Sequence, residues 1–261
     1  MVRETGTILQ KDFMIKPQNH FFGDSFTAGD EIVDHKYVES YPPYLNFREW
    51  FESKDKSRPS LHHLSKSEYE SLIKEERQNS YAGIVEGINH AESGMSLQNM
   101  CRLIVNTLES AKTKQRIFIQ PSGIERWCEF VDGQWTDFNT TPPKDQHKDY
   151  YKFRVSHSTE SSNFEAWQSI FLPLISYVSN HHNTLDWFII NNGTLNELIG
   201  IIDREKLQGK GVLNAVDHWR QHIINFPQVD AMDEPFYCKG GHVNQKAHKI
   251  LADKISKLLV D

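Results

Sequence analysis

The stretch His20-Phe21-Phe22-Gly23-Asp24-Ser25-Phe26-Thr27-Ala28-Gly29 decides how the rest of the sequence is interpreted. An apolar run ends here in a Gly-Asp-Ser turn. A serine that follows a buried strand and begins a helical turn lies at the carboxyl edge of a parallel sheet, where open α/β folds bind their ligands. Its backbone N–H can then face a developing oxyanion. The same pattern also fits a plain helix cap formed by Asp24 or Ser25.

Short apolar segments along the chain predict five buried strands, with helical spacing between them. The strands are predicted around residues 16–22, 87–91, 116–120, 185–191 and, more weakly, 222–226. Residues 97–108 and 245–259 carry apolar side chains at helical intervals. Strands that alternate with helices predict an α/β fold, in which helices cover both faces of a mostly parallel sheet. A chain of 261 residues is long enough to form one such domain, spanning residues 1–261.

Two regions interrupt the alternation and are predicted to be insertions into this domain. Residues 30–80 are rich in charge, tyrosine and proline, and residues 131–162 are rich in aromatic side chains. Loops longer than roughly 15 residues in a compact domain are usually functional or mobile, so both insertions are candidates for a cap over the site. The aromatic segment from Trp135 to Phe153 fits either a carbohydrate platform or the packing of an ordered loop.

Composition argues against several classes of partner. With 29 basic and 35 acidic residues the formal net charge is -6, and no basic stripe is dense enough to follow a nucleic acid backbone. The cysteines, Cys101, Cys128 and Cys238, are odd in number and scattered, which favours a reducing compartment. The sequence has no apolar run typical of a signal peptide or a membrane span. We therefore expect a cytoplasmic or virion-associated protein.

The 13 histidines lack ligand spacing, so no metal and no other cofactor is predicted.

A second informative segment lies near the end of the chain, where Gly240-Gly241-His242-Val243-Asn244 precedes the last amphipathic helix. A serine hydroxyl is a poor nucleophile near neutral pH and needs a base within hydrogen-bonding reach, which a histidine supplies. Ser25 and His242 are therefore the candidate nucleophile and general base.

Together, GDSFTAG at residues 23–29 and GGHVNQKAHKILA at residues 240–252 resemble the first and last conserved blocks of the SGNH/GDSL hydrolase family. The last block is especially similar to the phage-encoded branch of that family. The resemblance implies a three-layer sandwich with a flavodoxin-like sheet. It also implies that Ser25 is the nucleophile and His242 its base, and it makes Asp24 a candidate for contact with the substrate.

The middle blocks of the family, which supply the oxyanion hole, match less closely. Gly94 corresponds to the glycine that donates its backbone N–H in the second block, although it also fits a simple strand-to-helix turn. The asparagine usual in the third block is missing. By position Ser122 replaces it, with Gln120 as a rival donor. Arg126 either holds an anionic group of the substrate or pairs with a neighbouring acid such as Glu129.

The acid that usually orients the histidine is also displaced. In many family members an aspartate three residues before the histidine fixes its tautomer, but Lys239 stands there. Asp233 is the preferred replacement, with Asp230 and Glu234 as alternatives. A backbone carbonyl that orients the ring, or a loss of activity, is also compatible with the sequence.

The sequence as a whole predicts a serine ester hydrolase that forms an acyl-enzyme on Ser25 and acts on a small-molecule or glycan ester. Acetyl groups on a glycan are the favoured substrate. An acyltransferase with the same Ser25 and His242 stays open. So does a non-catalytic carbohydrate-binding module, which Lys239 and the missing asparagine favour and the intact GDSFTAG block opposes.

Overall fold

The computed structural model describes residues 16–38, 45–53, 60–131, 133–138, 148–197 and 210–260. The strands within these ranges are β1 (Gln18–Phe22), β2 (Ile88–Asn89), β3 (Gln115–Ile119), β4 (Trp127–Val131), β5 (Gln134–Phe138), β6 (Thr184–Asn191) and β7 (Ile223–Asn225). The helices are α1 (Ser25–Ala28), α2 (Phe47–Glu52), α3 (Lys66–Asn79), α4 (Tyr81–Ile84), α5 (Leu97–Ser110), α6 (Lys148–His157), α7 (Glu160–Asn180), α8 (Lys210–His218), α9 (Pro227–Asp230) and α10 (Gln245–Leu258). Short 3-10 turns span Asp34–Lys36 and Arg220–His222.

The central sheet has five parallel strands in the order β2-β1-β3-β6-β7. Counted along the sheet's own strands, this is the doubly wound order 2-1-3-4-5 of flavodoxin-like folds. The predicted α/β class with a mostly parallel, flavodoxin-like sheet is confirmed, and each predicted strand segment overlaps an observed strand. β1 lies inside the sheet, so the turn that follows it emerges between β2 and β3 at the carboxyl edge.

Alternation of side chains along the strands creates one apolar layer on each face of the sheet. On one face, Phe22, Ile117 and Ile189 pack with the buried sides of α5 and α7. On the other face, Phe21 and Phe118 pack with α4 and α10. The result is the predicted three-layer sandwich. The segment that carries His242 leads into α10, which packs on this second face of the sheet.

The described parts of the two predicted insertions contain regular structure. In the first, α3 begins at a capping box in which Ser65 and Glu68 satisfy each other's backbone N–H groups. Its Leu72 packs in a small cluster with Ile32 and Val33. In the second, the hairpin of β4 and β5 begins before the predicted boundary and is followed by α6. Both segments thus fold on the domain more regularly than the sequence pattern indicated.

The β4–β5 hairpin is fixed to the N-terminus of α5 through Asp137. The Asp137 carboxylate accepts hydrogen bonds from the backbone N–H and hydroxyl of Ser96 and from the Asn99 side chain. Some aromatic rings of the hairpin region pack inward, as Trp127, Phe138 and Tyr151 do. Phe130 and Trp135 are instead exposed and adjacent, with ring centroids 5.4 Å apart. The structure is therefore compatible with both interpretations of the aromatic segment, a carbohydrate platform and the packing of an ordered loop.

The described part of the chain contains no helix with the length and hydropathy required to cross a bilayer.

Replacing Phe118 by alanine tests the central apolar layer. The ring is buried and lies between Phe21 and Phe188, with centroid distances of 4.4 and 5.1 Å. We expect Phe118→Ala to lower the free energy of unfolding by about 3–5 kcal/mol, because it leaves a cavity that the sheet cannot close. Urea denaturation followed by circular dichroism measures this. The control, Phe130→Ala at a side chain 60% exposed, should cost about 1 kcal/mol or less, and equal losses would contradict the assignment.

Candidate active site

The turn between β1 and α1 places Ser25 at the carboxyl edge of the sheet. Gly23 leaves no room for a side chain, since a Cβ there would lie 2.1 Å from the Thr27 hydroxyl oxygen. The Asp24 carboxylate caps α1 by accepting a hydrogen bond from the Phe26 N–H. Ser25 is the first residue of the helix and is buried. Its hydroxyl therefore has a fixed position at the start of the turn.

A tight turn before α10 presents His242 to this serine. The Cys238 N–H donates to the His242 carbonyl at 2.7 Å, and Gly241 adopts a left-handed φ of 96° that favours glycine. The His242 Nε2 atom lies 2.7 Å from the Ser25 Oγ atom. The structure thus brings these two candidate residues, 217 positions apart in the chain, within hydrogen-bonding distance of each other.

The other ring nitrogen of His242 faces Glu31. The Nδ1 atom lies 3.1 Å from Glu31 Oε2, although this direction departs from that of a well-aligned N–H···O bond. The same oxygen accepts from the His242 backbone N–H at 3.4 Å. Glu31 is fully buried, and it has a left-handed φ of 70°. Its own N–H donates to the Glu76 carboxylate at 2.7 Å, which helps to hold this unfavourable backbone conformation.

Gly240 makes room for the buried acid. A Cβ at this position would lie 1.8 Å from Glu31 Oε1, so any side chain would displace the carboxylate. The glycine pair before His242 therefore serves two purposes: Gly240 admits Glu31, and Gly241 makes the turn.

The structure corrects the expectation that Asp233 orients the histidine. Asp233 is exposed in the loop after α9, and among the described contacts the carboxylate beside Nδ1 belongs to Glu31. The alternatives Asp230 and Glu234 form surface ion pairs with Lys254 and Lys246. The sequence contained one hint, an acid six positions after Ser25. The left-handed backbone that brings Glu31 beside His242 is rare for a glutamate, so it could not be expected from the sequence.

The surroundings of His242 favour a protonated Nδ1. Burial of the ring opposes the charged form, but the Glu31 carboxylate, aided by Asp30 and Asp24, outweighs burial and raises the pKa of His242 above its ordinary value. A proton held on Nδ1 toward Glu31 leaves Nε2 as the acceptor for the Ser25 hydroxyl. This is the tautomer that a general base for Ser25 requires.

Of the predicted oxyanion donors, the structure leaves the two backbone groups available. The N–H groups of Ser25 and Gly94 donate none of the hydrogen bonds found among the described residues. Gly94 has a φ of 81° in the loop before α5. Ser122 is buried, and within the same part of the chain its hydroxyl has no hydrogen-bond partner. Its carbonyl accepts from the Trp167 indole.

The Gln120 side chain forms its hydrogen bonds within the turn that carries Ser25 and the adjoining backbone. This corrects the prediction that Gln120 is a rival donor to the oxyanion. Its amide oxygen accepts from the Asp24 N–H and the Thr27 hydroxyl, each at 3.1 Å. Its amide nitrogen donates to the Pro121 carbonyl. Gln120 thus ties the end of β3 to the turn that carries Ser25.

Arg126 pairs with Asp24, not with the expected Glu129. The Arg126 Nη1 atom lies 2.9 Å from Asp24 Oδ2. Burial raises the pKa of Asp24, and the Arg126 charge together with the Phe26 N–H partly offsets this effect. Both carboxylate oxygens of Asp24 are therefore used within the protein, and its position supports the turn more directly than a substrate contact.

The remaining buried histidines have structural partners. His248 Nδ1 accepts from the Tyr81 N–H at 3.0 Å, and burial lowers its pKa to about 3, which keeps it neutral. His20 and His90 pack in contact, and burial lowers the pKa of His90 to about 4. Across the described ranges, His, Cys, Asp and Glu side chains form no group of three suited to a metal ion.

No protein-family model matches this sequence, and no curated protein matches it. Solved structures that are similar to this chain include the following two. A member of the lipolytic protein G-D-S-L family from Veillonella parvula is 12% identical over 93% of this chain and 98% of that chain, with a TM-score of 0.45. A carbohydrate esterase family 2 enzyme plus carbohydrate binding domain from Corynascus thermopiles (Myceliophthora fergusii) is 12% identical over 94% of this chain and 65% of that chain, with a TM-score of 0.47.

Neutralising Glu31 tests the source of the His242 pKa. We expect Glu31→Gln to lower this pKa, because the carboxylate that opposes the effect of burial is gone. The ring resonances of His242 in a proton NMR titration report the change directly. Asp233→Asn is the matched control and should leave the titration of His242 unaltered. A drop in Asp233→Asn with none in Glu31→Gln would restore Asp233 as the acid.

Proposed function

We propose that this protein is a serine ester hydrolase of the SGNH/GDSL type, with Ser25 as nucleophile, His242 as general base and Glu31 as the acid that orients the base. The observation that carries the proposal is the distance of 2.7 Å between Ser25 Oγ and His242 Nε2. The resemblance of the two terminal sequence blocks to that family supports it independently. Lys239, the main departure from the family pattern, matters less because Glu31 fills the place of the missing aspartate.

In the proposed reaction His242 Nε2 takes the Ser25 proton as Oγ attacks the ester carbonyl. The negative charge that develops on the carbonyl oxygen is stabilised by the Ser25 N–H and, on the family analogy, by the Gly94 N–H. The imidazolium then gives its proton to the departing alcohol, which leaves an acyl group on Ser25. Water, deprotonated by the same nitrogen, attacks the acyl carbonyl; the bond between the acyl carbon and Oγ then breaks, the imidazolium returns its proton to Ser25 Oγ, and the acid is released.

Glu31 contributes by stabilising the imidazolium that forms in each proton transfer. Its buried position excludes water from the carboxylate, which strengthens the attraction to the charged ring. The carboxylate also keeps the neutral ring in the tautomer that accepts from Ser25.

Acetyl esters on glycans are the substrate class that we propose for this site. The support is the exposed pair of Phe130 and Trp135 on the hairpin next to α5, since flat aromatic rings stack on the apolar faces of sugars. Arg102 Cζ lies 4.6 Å from the centroid of the Trp135 ring and covers one face of it, so a sugar would stack on the other face or on Phe130. A purely binding module is the less economical interpretation, because binding alone does not require a buried acid beside a histidine that lies within hydrogen-bonding distance of a serine.

Removing the nucleophile is the primary test. We expect Ser25→Ala to reduce hydrolysis of p-nitrophenyl acetate by roughly 10³-fold or more, to the background rate. Ser169→Ala, an exposed serine on α7, is the matched control and should retain the activity of the unmodified protein. Circular dichroism checks that each variant is folded. Equal rates in the unmodified protein and in Ser25→Ala would reject Ser25 as the nucleophile for this ester.

The pH profile tests the base. The rate should rise with pH through the pKa of His242, because only the neutral ring accepts the serine proton. Since the surroundings raise that pKa, we expect the midpoint of kcat/KM to lie above about 6.5, the ordinary value for histidine. In Glu31→Gln the midpoint should move to lower pH, and the plateau should fall by roughly 10²- to 10⁴-fold. A plateau unchanged by this substitution would remove Glu31 from the mechanism.

A further inference from the structure

A small cavity lies beside the turn that carries Ser25. Its walls come from the start of α5, the loop into β4, and the helices α6 and α7. The polar side chains in these walls include Arg126, Arg154, Trp127 and Gln98, and within the described structure no acidic side chain lines the cavity. The cavity has room for about one water molecule, or for one small group at the end of a ligand.

Several polar atoms in these walls are buried and have no hydrogen-bond partner among the residues that the structure describes. They are the Trp127 Nε1, Arg154 Nε and Gln98 Oε1 atoms. Arg126 Nη1 has Asp24 as its charge partner at 2.9 Å, but the alignment is poor for a hydrogen bond. Folded proteins satisfy nearly all buried polar groups, because each unpaired one costs about 1–3 kcal/mol. Cavity walls whose side chains hold several such atoms therefore indicate a missing partner.

The chemistry of the orphaned groups defines that partner. Three of the four are N–H donors, and two of these belong to arginines. The fourth, the Gln98 amide, can present its nitrogen after a flip. Arginine is also held over the Trp127 ring, with Arg154 Cζ 5.8 Å from the ring centroid. Such a set repels cations and favours an acceptor with negative charge, namely an oxygen of a carboxylate, sulfate or phosphate group.

The cavity is joined to the candidate active site through Arg126. The guanidinium that lines the cavity also contacts the Asp24 carboxylate, and Asp24 directly precedes Ser25. The space admits only the tip of a ligand, so the rest of the molecule must lie outside the cavity. A ligand anchored on Arg126 is therefore linked through one ion pair to the turn that carries Ser25.

We propose that this cavity is a subsite for one oxyanion group of the substrate, so that the esters the protein favours carry a negative charge. The link to an ester rests on the proposed function, whereas the binding of an oxyanion does not. Together with the aromatic hairpin, the subsite points to an acidic glycan.

The first experiment measures binding without turnover. Isothermal titration calorimetry of the Ser25→Ala protein with acetate, sulfate and inorganic phosphate, at ionic strength held constant with chloride, should show saturable binding of at least one anion. Adding Arg154→Gln should weaken that binding by about tenfold or more, since a charge-assisted hydrogen bond is lost. Arg220→Gln removes the same charge at a side chain 84% exposed and should change the affinity less than twofold. Which of the three anions binds identifies the group.

Absence of saturable binding, or equal weakening by Arg154→Gln and Arg220→Gln, would mean non-specific charge screening and would overturn the subsite. Thermal unfolding checks that each variant is folded. If Arg154→Gln fails this check, Trp127→Phe replaces it, because phenylalanine keeps a ring but lacks the indole N–H. Retained affinity in a folded Trp127→Phe protein would then count against the proposal.

The second experiment uses a neutral and an anionic ester, phenyl acetate and 4-acetoxybenzoate. Arg154→Gln should lower kcat/KM for the anionic ester about tenfold relative to the neutral one, and Arg220→Gln should leave the ratio unchanged. A ratio that Arg154→Gln does not alter would separate the cavity from the substrate. If the unmodified protein cleaves neither ester, the proposed function fails for these esters, while the calorimetry still decides whether the cavity binds an oxyanion.

Discussion

The contact between the buried Glu31 carboxylate and the His242 ring is the constraint on which the site depends. It aligns His242 with Ser25, and it requires several otherwise unfavourable features nearby. Glu31 adopts a left-handed backbone, a second buried acid, Glu76, accepts its N–H, and Gly240 leaves the space for its carboxylate. Strained or crowded features of this kind persist where the surrounding structure over-determines them, and they cluster at functional sites.

The sheet supplies the rigidity that this arrangement needs. β1 is paired on both sides, with β2 and β3, and the end of β3 is connected to the turn through Gln120. On the opposite side of the site, Asn244, two residues after His242, caps α10, and α10 packs on the sheet through Leu251 and Ile255. Ser25 and His242 are therefore each attached to an element of the core, which fixes their separation better than two free loops would.

The same turn also connects the site with its surroundings. Asp24 uses one oxygen to cap α1 and the other to contact Arg126, so the helix that carries Ser25 and the arginine-lined cavity share one carboxylate. The hairpin that contributes Trp127 to that cavity is tied to the start of α5 by Asp137. The second insertion is thus attached to the core by hydrogen bonds at the start of α5.

The amino-acid pattern alone predicted the α/β class and the five strands of the central sheet, because apolar runs and helical spacing are local features. The pair of Ser25 and His242, 217 positions apart, was predicted from two short blocks that resemble those of a known family. The carboxylate beside His242, the partner of Arg126 and the contacts of Gln120 follow from the tertiary structure alone. These depend on contacts between segments far apart in the chain: Glu31 and His242 are 211 residues apart, and Asp24 and Gln120 are 96 apart. A carboxylate or an amide carries no local sign of which distant group it will meet, because that choice is made by the packing of the whole sheet and, for Glu31, by a backbone conformation that only the packed structure sustains.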